Sequence, residues 1–175
     1  MELYCLGGAA LCAVVAAGWD IATWRIPNWL TYSAMCLGLA LRLAGGGWRG
    51  LAEGLAAGLL LGGVFLVFFI ARAMGAGDVK LMAAVGCLTG LHQGFVILLA
   101  TALAGGVLAL GQVLFRRRAL RTLRNLVSLI RFHLAFGVRP HPEINLENPE
   151  APRIPYAVAI AVGTLYALGI FILHR

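Results

Sequence analysis

Apolar runs of about the length needed to cross a bilayer recur along this chain, and no other feature constrains its fold as strongly. They lie near residues 3–19, 29–44, 51–71, 79–91, 94–115 and 154–173. A helix needs around 20 mostly apolar residues to span a hydrocarbon core. Within lipid the backbone must satisfy its own polar groups, which a helix does inside a single segment. The expected fold is therefore all-α, a polytopic membrane protein of about six transmembrane helices. The fourth run is short and reads as a partial or tilted span. Composition agrees: the chain is 61% hydrophobic and 12% charged, with a mean hydropathy of +0.90. Soluble domains are nearer half apolar and a quarter charged. No stretch is polar enough for a separate soluble domain, so residues 1–175 read as a single integral membrane domain. The first run begins with Glu2 and no Lys or Arg, which argues against a cleaved signal peptide.

Charge sets the expected orientation. The net charge is +7, but most of the arginines lie between Arg116 and Arg153, beside apolar segments. Anionic headgroups explain that placement better than nucleic acid does. With six spans, 11 of the 14 Lys and Arg fall in the odd-numbered loops. They are Arg25, then Arg72 and Lys80, then the Arg116–Arg153 group. The positive-inside rule makes those loops cytoplasmic. It leaves Arg42, Arg49 and Glu53 on the opposite side, with both termini outside. Residues 116–153 form one long basic cytoplasmic loop. Its first part reads as an amphipathic interface helix, because Leu120, Leu123, Val127, Ile130 and Leu134 recur at steps of three and four. Arg117, Arg121, Arg124 and Arg131 lie on the other side. Such a helix lies in the headgroup plane, as a surface anchor or as a wall that guides a substrate.

The chemistry is expected where the acids are scarcest. Only Asp20 and Asp78 are aspartates. Asp20 ends the first apolar run and Asp78 opens the fourth, so both are placed at one membrane depth on the cytoplasmic side. An ionisable group at that depth is costly and is a functional candidate by default. Two carboxyls close together in low dielectric resist double ionisation and share a proton. The ionised member can take a proton from water while the protonated one donates to a scissile carbonyl or leaving amine. The alternative is a structural interface aspartate at each position.

The flanking residues sharpen this reading. Asp78 lies in Gly75-Ala76-Gly77-Asp78-Val79-Lys80. The two glycines permit a tight turn and close backbone approach. Asp78 then falls at a helix start, where the dipole favours an anion. Asp20 precedes Ile26-Pro27-Asn28. Pro27 suits the first turn of the next helix, and Asn28 can bond loop backbone or a nearby carboxyl. For both, helix-start chemistry alone is the plainer alternative. Lys80 could hold the charge state of the aspartates, bind substrate carbonyls, or simply snorkel to the interface.

With these motifs the chain resembles the type IV prepilin peptidases, a GxGD-type family of membrane aspartyl proteases. The resemblance rests on Asp20 with Ile26-Pro27-Asn28, on Gly75, Gly77, Asp78 and Lys80, and on Ile154-Pro155-Tyr156, which is similar to the family's proline-aromatic start of the final helix. It extends over essentially the whole chain. It implies Asp20 and Asp78 as the catalytic pair, with Gly75, Gly77, Lys80, Pro27, Asn28 and Pro155 shaping the site. It implies an inner-membrane endopeptidase that removes the short basic leader of a prepilin at the cytoplasmic face. The first loop is short and lacks the family's inserted cysteine-bearing domain, so the chain looks like the short Flp/Tad-type branch, and methylation of the product is not implied. The basic stretch before the last helix departs from that pattern.

Several other readings are weighed against this one. An archaeal-type preflagellin peptidase shares the same logic. A proton-coupled transporter would also use membrane carboxyls, but would place them mid-span. A non-catalytic pilus-assembly subunit would carry the aspartates incidentally. Presenilin-type peptidases place their pair on adjacent late spans with a Pro-Ala-Leu signal, which this sequence lacks. Cys5, Cys12, Cys36 and Cys87 form no CxxC pair and read as small buried hydrophobes. His92, His133, His141 and His174 show no metal spacing, so neither a metal nor another cofactor is expected. The partners expected are a prepilin and the lipid bilayer. Trp19, Trp24 and Trp29 fit an interfacial aromatic belt.

Overall fold

The computed structural model describes residues 2–115 and 155–174. The described residues form four helices: α1 (Glu2–Thr23), α2 (Asn28–Ile70), α3 (Ala76–Phe115) and α4 (Tyr156–Leu173). Each is long and apolar enough to cross a membrane. The interface helix expected within 116–153 lies outside the described residues.

The helices α2 and α3 run for 43 and 40 residues. Unbroken, each would be roughly 60–65 Å long, about twice a hydrocarbon core. Neither is unbroken. Gly47 adopts φ 58° and ψ −150°, and Gly90 adopts φ 74° and ψ −175°. Such positive φ values are readily available to glycine. These breaks fall where the expected second run gives way to the third, and the fourth to the fifth. After Gly47 the chain doubles back on itself, since a Cβ built on Gly54 would lie 3.3 Å from Leu39 Cδ2 and one on Gly50 would strike the Arg42 carbonyl.

The two halves of α2 then flank the first half of α3. On one side Gly38 lies against the Leu88 backbone. On the other, Gly58 and Gly62 lie against Cys87 and Ala83. The two backbones come closest at Gly86, whose Cβ would sit 2.7 Å from the Ala57 carbonyl oxygen. Small residues at helix interfaces let backbones meet, and packing of this kind drives helix association in lipid.

Arg42 fastens the end of the bundle where the chain turns. Its Nε donates to the Leu88 carbonyl at 3.1 Å, and its Nη1 lies 3.4 Å from Glu53 Oε2. The guanidinium occupies the space a side chain at Gly90 would fill. Leu88 sits just before the Gly90 break, where carbonyls lose their helical partners, so Arg42 supplies a donor that the kink removes.

The remaining helices complete the core. Ala9, Ala13, Ala16 and Ala17 of α1 are buried, as are Ala157, Ile160, Ala161 and Ala167 of α4, and α1 packs against α4 and α3. The second half of α3 packs against α4, with Gly105 beside Tyr156 and Gly163 beside Thr101. Three of the cysteines are buried as expected, but Cys36 is exposed.

Candidate active site

The end of the bundle opposite Arg42 collects the residues that the sequence singles out. Helix α1 continues one turn beyond Asp20, to Thr23. The Trp24 amide donates to the Asp20 carbonyl at 2.8 Å, and Trp24 turns the chain out of the helix with φ 54°. Asp20 is thus held within the last turn of α1 rather than in the following loop. The chain then extends through Ile26 and Pro27. Pro27 has φ −64° and ψ 133° and stands at the N-cap of α2, one residue before the helix begins. Its lack of an N–H costs nothing there.

The Gly75–Asp78 turn opens α3. The Gly75 amide donates to Asp78 Oδ2 at 3.3 Å. A side chain three residues into a helix reaching back to the preceding backbone N–H is one half of a capping box. The turn does not require glycine for its torsions. The positive φ in this connection is at Arg72, 55°, and neither Gly75 nor Gly77 lies in the left-handed region. Gly77 is small for a different reason: its Cβ would sit 3.1 Å from Ile26 Cβ. That close approach is what lets the Ile26-Pro27-Asn28 segment lie on the GxGD turn. Gly75 contributes its amide, and a Cβ there would make only ordinary contact, 3.5 Å from Asp78 Oδ2.

Asp20 and Asp78 are brought together here, each 9% exposed, and their carboxylates are near enough to repel one another. Their hydrogen bonding differs. Asp20 accepts from the backbone N–H of Ala157, in the first turn of α4. Pro155 is the N-cap of that helix, so free N–H groups face the carboxylate. Asp78 Oδ1 is buried with no hydrogen-bond partner among the described residues. Tyr156 also lies within electrostatic reach of Asp78. A buried carboxylate oxygen without a partner is costly in a finished core and well placed to meet a water or a substrate atom.

Asn28 and Lys80 meet each other rather than the aspartates. Lys80 Nζ donates to Asn28 Oδ1 at 2.9 Å and stands 5.3 Å from the centre of the Tyr32 ring. Trp19 and Trp29 make an edge-to-face pair with centroids 6.1 Å apart, and both are largely exposed. No group of three or more His, Cys, Asp and Glu capable of holding a metal occurs among the described residues.

Two contributions were not read from the sequence. The Ala157 amide is invisible to any motif, because every residue but proline has one. Tyr32 was within reach of inference, since it follows Asn28 by four residues and so shares its helix face.

Residues 8–110 match the type IV leader peptidase family. No curated protein and no solved structure matches the chain.

Proposed function

We propose that this chain, which belongs to the type IV leader peptidase family, is a membrane aspartic endopeptidase that removes the leader of type IV prepilins of the Flp/Tad type, with Asp20 and Asp78 as its catalytic pair. The family indicates a protease. The observation that carries the finer reading is the meeting of two buried aspartates, one with an oxygen left open.

The chemistry follows from the carboxyl pair. One aspartate is ionised and the other protonated. The ionised member takes a proton from a water, and that oxygen forms a bond to the scissile carbonyl carbon. The protonated member donates to the carbonyl oxygen, giving a neutral tetrahedral diol. Collapse restores the carbonyl and breaks the C–N bond, and a carboxyl proton passes to the departing amine. The dyad ends with one proton, as it began. Asp78, with Oδ1 open, is suited to the water. Asp20, tied to the Ala157 amide, is suited to hold its orientation.

The membrane arrangement belongs to the same reading. The breaks at Gly47 and Gly90 divide α2 and α3 into four segments, which with α1 and α4 give six crossings. Asp20, Asn28, Asp78 and Tyr156 then share one membrane face and Arg42 with Glu53 the other. Assigning the arginine-rich 116–153 sequence between α3 and α4 to the aspartate side, as the charge count does, makes that side cytoplasmic and the membrane the inner one. The prepilin leader is met there, just before its apolar helix enters the bilayer.

The test is co-expression with prepilins, read as a gel shift, for the wild type and for Asp20→Asn and Asp78→Asn. Loss of cleavage in both variants, with normal levels of inserted protein, is expected. Normal cleavage by either one ends the aspartic reading.

A further inference from the structure

We infer that Lys80 is a positioning residue, which acts through Asn28 and Tyr32 to hold the turn carrying Asp78 against the start of α2. The inference rests on the peptidase reading above but names a contact on which that reading does not depend.

Three roles are open to a lysine two residues after a catalytic aspartate. It could set the dyad's charge, bind the substrate, or brace the site. The first needs the ammonium beside a carboxylate. Among the described residues Lys80 forms no ion pair with Asp20 or Asp78; the acid Glu53 is paired instead with Arg42. The unpartnered Asp78 Oδ1 is not served by it either. The second role needs free donors aimed at the dyad. One donor of Lys80 is committed to Asn28 Oδ1 at 2.9 Å, and its charge rests beside the Tyr32 face at 5.3 Å. An ammonium within about 6 Å of a ring centroid is attracted by the ring quadrupole.

The brace has a clear mechanical purpose. Asp78 and Lys80 lie in the first two turns of α3, as Asn28 and Tyr32 do in α2. Beneath them Ile26 lies against Gly77, so close that a Cβ there would be 3.1 Å from Ile26 Cβ. Apolar contact alone resists separation but lets the two helix starts slide. A charge-assisted hydrogen bond is directional, and it joins the two segments at a second point. Together the contacts fix both the height and the rotation of the turn bearing Asp78. Misplacing a reacting group by about an ångström can cost on the order of a hundredfold in rate.

The test uses the full chain in lipid nanodiscs, with a purified type IV prepilin bearing a short basic leader as substrate. Lys80→Met keeps the apolar stem and removes the donors. It should lower kcat by on the order of tenfold with KM little changed. Both limbs of the pH profile should stay where they are in the wild type. Asn28→Ala should cause a similar loss, and the double variant should be no worse than Lys80→Met alone. Lys80→Arg, which keeps charge and donors, should recover part of the rate. A displaced pH limb in Lys80→Met would assign the residue to charge tuning. A rise in KM alone would assign it to substrate binding. Additive losses, or wild-type kinetics, would equally overturn the brace. Hydrogen exchange supplies a readout independent of cleavage. In Lys80→Met and in Asn28→Ala, amides of residues 75–80 should exchange faster while those around Leu88 do not. Unchanged exchange at 75–80 in both variants sinks the inference even if no substrate is ever cut. Should the Asp→Asn variants retain cleavage while this exchange coupling holds, the aspartic reading fails and the brace survives.

Discussion

At one end of the helical bundle Arg42 bonds the Leu88 carbonyl at 3.1 Å, pairs with Glu53 at 3.4 Å and fills the space left open by Gly90. At the other end Asp20 and Asp78 are buried together, and Asp78 Oδ1 has no hydrogen-bond partner among the described residues. Both ends place charge among apolar helices, where a charge without a partner is expensive. At the Arg42 end the charge is consumed by structure: it satisfies a carbonyl freed by a helix break. At the aspartate end the structure leaves the cost standing. Unsatisfied buried groups are rare in folded proteins and call for an explanation. On the proposed reading, the contrast separates a group that holds the fold from a group kept ready for chemistry.

The sharpest way to break this comparison is to remove each charge and ask what is lost. Asp20→Asn and Asp78→Asn should each abolish leader cleavage and leave the protein inserted and folded. Asn has nearly the shape of Asp, but it cannot accept a proton from water or pass one to an amine. Because the pair acts as a unit, the double variant should be no worse than a single one. Asp78→Glu should cost on the order of a hundredfold, as the added methylene moves the carboxyl by about an ångström. Extracted protein levels serve as the folding control. Unfolding of the Asn variants would place the aspartates with Arg42, as structural groups.

The shared proton gives a second expectation. Cleavage should fall on the acid side, where both carboxyls are protonated, and again on the alkaline side, where both are ionised. The two apparent pKa values belong to the pair rather than to either residue. The rate is measured across the range in which the purified protein stays folded. A profile flat through acid and neutral pH would count against proton sharing.

The Arg42 end should respond in the opposite way. Arg42→Met keeps the length of the side chain but strands the Leu88 carbonyl, a loss of about 1–3 kcal/mol. Gly86→Ala should be similarly destabilising, since its Cβ would lie 2.7 Å from the Ala57 carbonyl oxygen and the backbone must give way. Both should lower the melting temperature in detergent while the cleavage rate per folded molecule stays near that of the wild type. A lowered rate with unchanged melting would join the two ends functionally.

What could be read from the sequence, and what could not, follows the same division. The aspartate end was legible because its residues are chemically unusual. Two aspartates in a chain this apolar, each beside a proline or glycine motif, stand out before any coordinates exist. The positions of the apolar runs were legible too, because hydropathy depends on composition along the chain. The α2–α3 packing was not, since it depends on which glycines face which carbonyls across the pair, and Gly86 looks like any other glycine. The joining of the runs into α2 and α3 was hidden for a related reason: a single residue with positive φ reverses the chain with no polar loop to announce it. Lys80 could be singled out as a candidate. Its partner could not, because Asn28 and Lys80 are neighbours only once Gly77 has met Ile26.

The smallest expected effect is the most discriminating between the two ends. Glu53 is an acid in an apolar chain, as Asp20 and Asp78 are, but the charge count sets it at the opposite face and no Ile-Pro-Asn or GxGD motif accompanies it. Its surroundings agree. Its side chain is 46% exposed and is paired with Arg42, which is 14% exposed. A partly solvated ion pair contributes about 0–1 kcal/mol, because water and counterions screen the charges and the side chains lose freedom in holding one geometry. Glu53→Gln keeps an oxygen that can still accept from Arg42, and the Arg42 bond to the Leu88 carbonyl does not involve Glu53 at all. The variant should therefore melt within a few degrees of the wild type and cleave prepilin at the wild-type rate. Both are measured on the same preparation, by thermal unfolding in detergent and by the gel shift. A large loss of cleavage in Glu53→Gln, with melting unchanged, would mean that a carboxylate at the Arg42 end takes part in the reaction, and the assignment of chemistry to the Asp20–Asp78 end alone would have to be given up.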